Sequence, residues 1–316
     1  MKPTFGSQRG AAILMAMLTV TLVASLAAAA LWQQWRNLEV EAAQRNRVQS
    51  GWILTGALDW ARLILREDAR SGGADHLAEV WAVPLEEARL STFLAADRDN
   101  TADPTDSGLE AFLSGRIIDL QSRLNVFNLV DGGRVSEPAL HAFSKLFELL
   151  ELPQPELAAM VENLRFALDT SSDNRSGFAA PLVPQRVEQL VWLGLSQRSV
   201  QVLLPYITLL PARTPVNLNT ASAEVLYASI EPLEMALAQR LVNARSRTHF
   251  RTLADASAVV GELTGALNEQ QHSTTSRFFE VRGRLRLENS ISEERSVVQR
   301  DGMLVRTLWR ERGIGP

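Results

Sequence analysis

The 316-residue sequence contains no cysteine and only four histidines. The lack of cysteine excludes a disulfide framework, a thiolate metal site and a cysteine nucleophile. No two histidines have the spacing of a metal-binding pair. Gly-x-Ser-x-Gly, Walker, Rossmann and His-Glu-x-x-His patterns are also absent from the sequence. These absences predict a protein that is not an enzyme and requires no cofactor.

The sequence also lacks an excess of positive charge. It has 32 Lys and Arg against 36 Asp and Glu, for a formal net charge of -4. A broad nucleic-acid surface needs a concentration of basic residues, so this balance argues against one. Hydrophobic residues make up 46% of the chain, which predicts a globular body with a substantial core.

One stretch near the amino terminus lacks charge altogether. No charged residue occurs from Ala11 to Trp35, and the apolar run continues to Trp32. At ~1.5 Å of helical rise per residue, this run is about as long as the hydrocarbon core of a bilayer is thick. Before it lies a polar leader of residues 1–10, which ends in Gly10. A short basic leader, a glycine and an apolar helix are typical of a type IV prepilin.

Two other interpretations fit the same stretch. A cleavable secretory signal would use the small residues at 28–30. The run is longer than the ~7–15 residues of such signals, and Trp32 and Trp35 lie where interfacial aromatics would anchor a retained span. An ordinary single-span anchor is the other alternative, which hydropathy alone does not separate from a prepilin.

Residues 36–67 continue the helical pattern beyond the apolar run. A stripe of large residues and glycine recurs there at helical spacing, and we expect it to pack against a sheet. The stripe consists of Trp52, Gly56, Trp60, Leu63 and Ile64.

From residue 136 to about residue 267, the sequence predicts a series of short helices with recognisable ends. Ser196 and Thr220 are suited to be N-caps. Thr252 and Asp255 fit a capping box, and Gly261 is suited to end that helix. This part of the chain is therefore predicted to be an all-helical domain.

After residue 275 the hydrophobic period changes from helical to two. Phe279, Val281, Leu285 and Leu287 lie on one face of a predicted strand, and Arg282, Arg284 and Arg286 lie on the other. Asp301-Gly302 predicts a hairpin turn. The arginine row suggests either a nucleic-acid contact or a solvated sheet face, and nearby glutamates favour the solvated face.

Predicted strands therefore flank the helical block, and the simplest fold is α+β. A long N-terminal helix, whose first half is transmembrane, packs on a pilin-like antiparallel sheet with a large inserted all-α domain. The predicted divisions are a leader (1–10), a transmembrane helix (11–35), the first part of the α/β domain (36–124), the helical insertion (125–275) and the C-terminal strands (276–316).

Four segments together resemble one family, the K subunit of the type II secretion pseudopilus (general secretion pathway protein K). They follow the family's order along nearly the whole chain. They are residues 8–14 (QRGAAIL), 57–62 (ALDWAR), 123–129 (RLNVFNL) and 215–222 (PVNLNTAS).

The resemblance implies a place in bacterial protein secretion. It implies that prepilin peptidase cleaves between Gly10 and Ala11 and that the new amino terminus is methylated. It further implies a single-pass inner-membrane protein with its C-terminal domain in the periplasm. There it would sit at the pseudopilus tip beside the I, J and H type minor pseudopilins, in contact with the major pseudopilin.

Two positions depart from related patterns. Family members often carry an acidic calcium-binding loop, and Asp169 and Asp173 match only the paired aspartates of that loop, so calcium is an open possibility. Met15 occupies the fifth mature position, where most pilins carry glutamate. K subunits usually lack this glutamate too.

Two rival functions fit parts of the same sequence. A minor pilin of a type IV pilus shares the leader pattern. Residues 216–221 also resemble the opening of helix-hairpin-helix DNA-binding domains, which hold phosphate with amides of a Gly-rich turn. The corresponding turn here contains Glu231, Pro232 and Glu234 and no glycine, so no phosphate site is expected.

Overall fold

The computed structural model describes residues 9–91, 110–169, 180–261, 266–288 and 290–314. The chain divides into two compact units, residues 1–55 and residues 56–316. Helix α1, Arg9–Ser71, begins in the first unit and ends in the second. Every side chain from Ala11 to Arg45 is exposed. Of the described helices, this one is long and apolar enough to cross a membrane.

The second unit contains an antiparallel five-stranded sheet in the order β1-β2-β9-β10-β11. The long N-terminal helix, the antiparallel sheet and the intervening helices confirm the predicted α+β class. The strands of this sheet are β1 (Leu85–Arg89), β2 (Ala111–Asp119), β9 (Phe278–Leu287), β10 (Ser290–Asp301) and β11 (Leu304–Ile314).

Three pairs of two-residue strands complete the described β-structure. The first and third pairs in the following list are parallel, and the second pair is antiparallel. The pairs are β3 (Leu124–Asn125) with β6 (Ile207–Thr208), β4 (Val130–Asp131) with β5 (Arg134–Val135), and β7 (Val216–Asn217) with β8 (His272–Ser273).

The predicted strand alternation in β9 is confirmed. Phe279 and Val281 form one core cluster with Leu58, Ala61 and Leu65 of α1. The row of arginines lies on the opposite face of the sheet, because side chains of a strand alternate between its faces.

The predicted packing stripe of α1 is wrong except at Ile64, which packs against this core cluster. Trp52 is 74% exposed and Trp60 is 41% exposed, whereas Leu58, Ala61 and Leu65 are buried. Both sets have helical spacing, so the sequence presents two apolar faces. Smaller aliphatic side chains allow a helix to approach the sheet closely, and they form the buried face here.

The helical block follows β2 and precedes β9 in the chain. Its large core joins residues from all of its α-helices, including Phe143, Phe147 and Met160. The helices are α2 (Glu137–Leu149), α3 (Gln154–Leu168), α4 (Gln197–Leu203), α5 (Ala223–Ser229), α6 (Met235–Arg247) and α7 (Leu253–Val260). Short 3-10 helices are Val80–Ala82, Leu120–Ser122, Val126–Leu129 and Val187–Leu193.

The helix caps predicted at two positions are confirmed, and the predicted hairpin turn is present one residue away. Ser196 caps α4, and Thr252 and Asp255 form the capping box of α7. The hairpin between β10 and β11 has Gly302 and Met303 as its loop, because Asp301 pairs with Leu304. The predicted turn is therefore shifted by one residue, and Gly302 adopts the left-handed conformation with φ of +55°.

Candidate functional site

The amino-terminal positions singled out in the sequence lie in the first turns of α1. The helix includes Gly10, Ala11 and Met15, and the Met15 side chain is 66% exposed. Exposed apolar side chains of this kind are stable in hydrocarbon rather than in water. The helix therefore fits a single-pass anchor, while cleavage after Gly10 stays a prediction.

The first asparagine-containing motif, residues 123–129, holds an extended segment of the chain in place. Asn125 Oδ1 accepts a hydrogen bond from Leu210 N at 3.1 Å, and Asn125 Nδ2 donates to Ala212 O at 2.8 Å. Asn128 Nδ2 donates to Thr214 O at 2.8 Å. An asparagine side chain has both a donor and an acceptor, so it can form hydrogen bonds with both the N–H and the C=O groups of a backbone segment outside regular secondary structure.

The second motif, residues 215–222, forms hydrogen bonds both within the helical block and between that block and the sheet. Asn219 pairs with the backbone of Phe250, donating to its carbonyl and accepting from its N–H, both at 2.8 Å. Asn217 Nδ2 donates to Asp119 Oδ2 at 3.1 Å and to Ser276 Oγ at 2.9 Å. Both asparagines are buried, so these bonds replace those made to water.

Thr220 belongs to the same junction and does not cap a helix, contrary to the sequence prediction. Its Oγ1 donates to Asp119 Oδ2 at 2.6 Å, and Ser222 is the N-cap of α5. Asp119 is fully buried at the end of β2, where Ser276 Oγ also donates to it at 2.6 Å. Burial raises the pKa of Asp119 despite these donors, because a carboxylate loses its hydration there.

A second buried group adjoins this junction. We call Asp68, Asp75, Glu79 and Arg300 the Arg300 cluster. Arg300 Nη1 contacts Asp68 Oδ2 at 2.5 Å, and Arg300 Nη2 contacts Asp75 Oδ1. The same Nη2 donates to Ser276 O at 2.8 Å. One guanidinium on β10 therefore ties together the end of α1, the loop after it and the segment that enters β9.

The three carboxylates of the Arg300 cluster also have the spacing of a metal site, since their oxygens lie within 4.8 Å of one another. Arg300 already supplies positive charge to two of them. The sequence did not indicate this cluster, because Arg300, which joins two of the carboxylates, lies 225 positions after Asp75. It lies elsewhere than the predicted calcium pair: Asp169 follows α3, and Asp173 lies outside the described residues. Calcium binding at that pair stays a prediction.

Glu79 is expected to make the protein more stable in mild acid. Burial raises the pKa of Glu79 to about 7, although His76 N and Trp81 Nε1 both donate to its Oε2. The folded state therefore binds a proton that the unfolded state has lost, and this contribution to stability falls as the pH rises from about 4.5 to 7.

The Glu79→Gln variant tests this pH dependence. Its amide oxygen can accept both hydrogen bonds but carries no charge, so the variant should gain stability over the native chain at pH 8 and not at pH 5. Urea unfolding of the two proteins at both pH values measures the difference. An equal difference at the two pH values would contradict the assignment. Glu86→Gln, at an exposed position on β1, is the matched control.

The turn between α5 and α6 matches its sequence description. Glu231 and Glu234 are exposed there, and Lys145 Nζ donates to the carbonyls of Ile230 and Leu233, both at 3.3 Å. The Leu233 amide donates to Ile230 O, and Pro232 has no N–H to offer. The turn therefore presents acids and occupied backbone groups where a helix-hairpin-helix domain presents free amides to phosphate.

Comparisons with known proteins cover both motifs and nearly the whole chain. Residues 122–212 and residues 216–275 match two family models described as type II secretion system protein K. Type II secretion system protein K of Pseudomonas aeruginosa is 27% identical over 98% of this chain and 94% of that protein. The proteins of that name from Pectobacterium carotovorum subsp. carotovorum and Klebsiella pneumoniae are 26% and 27% identical, over 97% of each chain.

A solved structure has the same fold. It is the GspK-GspI-GspJ complex of the type 2 secretion system of enterotoxigenic Escherichia coli, and the matching chain has a TM-score of 0.65 at 18% identity. The match covers 86% of this chain and 98% of that chain. In sequence, the chain is similar to type II secretion system protein K over nearly its whole length.

Proposed function

We propose that this protein is a minor pseudopilin that caps the tip of the periplasmic pseudopilus and supports export of folded proteins across the outer membrane. The observation that carries this proposal is the likeness to protein K over 98% of the chain. The likeness includes both the apolar helix and the helical block. The proposed role is structural and not enzymatic.

The proposed location follows from the same likeness and from α1. The apolar first part of the helix crosses the bacterial inner membrane, and the second unit lies in the periplasm. Prepilin peptidase removes residues 1–10, and Ala11 becomes the methylated amino terminus. In the related E. coli structure, GspK forms a complex with GspI and GspJ. We infer that the I, J and H type minor pseudopilins are also partners of this chain, together with the major pseudopilin.

Met15 supports the position at the tip. In pilin-like filaments a glutamate at the fifth mature position meets the amino terminus of the subunit above it. A carboxylate in hydrocarbon costs about 2.5–3.5 kcal/mol, so it is favourable only where a partner compensates it. A subunit with nothing above it has no such partner. Methionine avoids that cost, and the Ala11 amine can still meet a glutamate from the subunit below.

Complementation of a deletion strain tests this function. Loss of the gene should stop export of type II substrates, and the native chain should restore it. Met15→Glu should lower export to the same extent as Met17→Glu. The second variant is the matched control, because it places the same charge two residues further along the span. Better assembly with Met15→Glu than with Met17→Glu would show that a partner lies above this subunit. An epitope tag found repeatedly along the filament shaft would contradict the tip position as well.

A further inference from the structure

The face of the sheet opposite α1 carries three arginines in a line across its strands. Arg116 of β2 is paired in register with Arg282 of β9, and Arg282 is paired with Arg295 of β10. Like charges placed directly opposite one another destabilise a sheet. Such an arrangement therefore calls for anions nearby.

The protein supplies one buried anion to this row. Glu280 is fully buried, and its two oxygens contact Arg282 Nε and Arg295 Nε. Glu188 adds a second, more distant carboxylate at 3.9 Å from Arg295 Nη1. These two glutamates thus pair with Arg282 and Arg295, and neither forms an ion pair with Arg116 in the described part of the chain.

Arg123 brings a fourth guanidinium to the same place. It follows the 3-10 helix after β2, and its pKa is lowered by burial, with Arg282, Arg295 and Arg116 adding to the effect and Glu280 opposing it. Within the part of the chain that the structure describes, neither Arg116 nor Arg123 forms an ion pair or a side-chain hydrogen bond. Of these four guanidiniums, Arg282 and Arg295 are therefore paired with carboxylates, and Arg116 and Arg123 have no ion pair among the described residues.

Arg116 and Arg123 both line one groove. It has a volume of about 940 Å³ and lies between this face of the sheet and the helical block. The helical block contributes Glu188 and the apolar groups of Val187, Leu204 and Pro205. The sheet contributes polar and charged side chains, and its glutamates in the groove are each already paired with an arginine: Glu293 with Arg284, Glu294 with Arg310 and Arg312, and Glu311 with Arg186. The volume is in the range of sites that enclose an organic ligand, and it is far larger than a single inorganic ion requires.

We propose that this groove binds an acidic segment of another protein chain, with a carboxylate held between Arg116 and Arg123. Guanidinium groups bind carboxylates through paired N–H···O bonds, and they do so most strongly where water is partly excluded. The apolar wall is suited to the aliphatic side chains that neighbour an acid in a peptide. Arg123 is half-buried and already partly desolvated, whereas Arg116 lines the groove at an exposed position.

Fluorescence anisotropy with a labelled octapeptide of alternating aspartate and leucine tests this proposal. The full chain in non-ionic detergent should bind the peptide, and the affinity should fall as salt is added. The peptide in which asparagine replaces aspartate should not bind. The double variant Arg116→Gln with Arg123→Gln should lose at least tenfold in affinity, whereas Arg306→Gln, at an exposed position on β11, should bind as the native chain does.

The single variant Arg116→Gln is the control for misfolding of the double variant. This side chain is exposed, so its replacement should leave the melting temperature unchanged. It should still weaken peptide binding several-fold. Equal affinity of native and variant proteins, or equal binding of the two peptides, would overturn the proposal. Binding of inorganic phosphate without binding of the acidic peptide would also overturn it, since the groove would then be a site for a free anion.

Discussion

Replacing Arg300 with leucine is expected to lower the free energy of unfolding by about 3–5 kcal/mol, the range measured when one partner of a buried ion pair is removed. Asp75 is buried, and it would lose its only ion pair among the described residues. Burial already raises the pKa of Asp75 to about 6 with Arg300 present. The loss should therefore be larger at pH 8, where the carboxylate must be ionised, than at pH 5, where protonation relieves it.

Urea unfolding of the full chain in non-ionic detergent, followed by tryptophan fluorescence, measures this effect. The double variant Arg300→Leu with Asp75→Asn should recover part of the stability, because it no longer buries an unpaired charge. Arg306→Leu, on the exposed side of the neighbouring strand, should change stability by less than about 0.5 kcal/mol, as surface substitutions generally do. A loss below about 1 kcal/mol for Arg300→Leu would mean that solvent reaches the cluster and screens it.

Replacing Gly10 with phenylalanine is expected to leave the protein as a full-length precursor in the inner membrane and to abolish its contribution to export. The proposed peptidase cuts after a glycine, the residue with no side chain, and a bulky side chain at the cleaved bond would block access to the backbone. Gly6→Phe adds the same bulk within the same leader and should be processed normally.

N-terminal sequencing of the membrane-bound protein measures this outcome. The native chain and Gly6→Phe should begin at Ala11, and Gly10→Phe should retain the leader. A mature protein that begins at Trp32 or Gln33 would instead indicate signal peptidase and a cleaved secretory signal. Unchanged processing of Gly10→Phe would exclude prepilin peptidase.

The fold was predictable where the hydrophobic period was regular. The period of two located the strand Phe278–Leu287 correctly, and Ser196 and Thr252 located the starts of their helices, because both signals depend on neighbours in the sequence. The packing face of α1 was not predictable in the same way. Its two apolar stripes have the same spacing, and the choice between them depends on the sheet residues Phe279 and Val281.

The polar junctions were the least predictable feature. Arg300 and Asp75 are separated by 225 positions, and no local pattern marks either as a partner of the other. Thr220 was predicted to be an N-cap because threonine before a helix usually is one. The buried carboxylate of Asp119, which competes for the same hydroxyl, comes from 101 positions away. The arginine row was recognised in the sequence, but the groove beside it depends on how the helical block meets the sheet.

The register of β2 and β9 has a consequence for the ancestry and the engineering of this fold. Asp119, the last residue of β2, pairs directly with Phe279 at the beginning of β9. Residues 120–278 therefore leave the sheet and return to it at the same end of one antiparallel strand pair, as an inserted loop would at the tip of a hairpin. Chain ends this close permit a module to be gained or removed without a change of strand order, because the entropy of loop closure grows only slowly with loop length. A tight turn that joined Asp119 to Phe279 would leave a minimal pilin-like sheet, and the excised module, with adjoining ends, would be a candidate for transplantation into other hairpins.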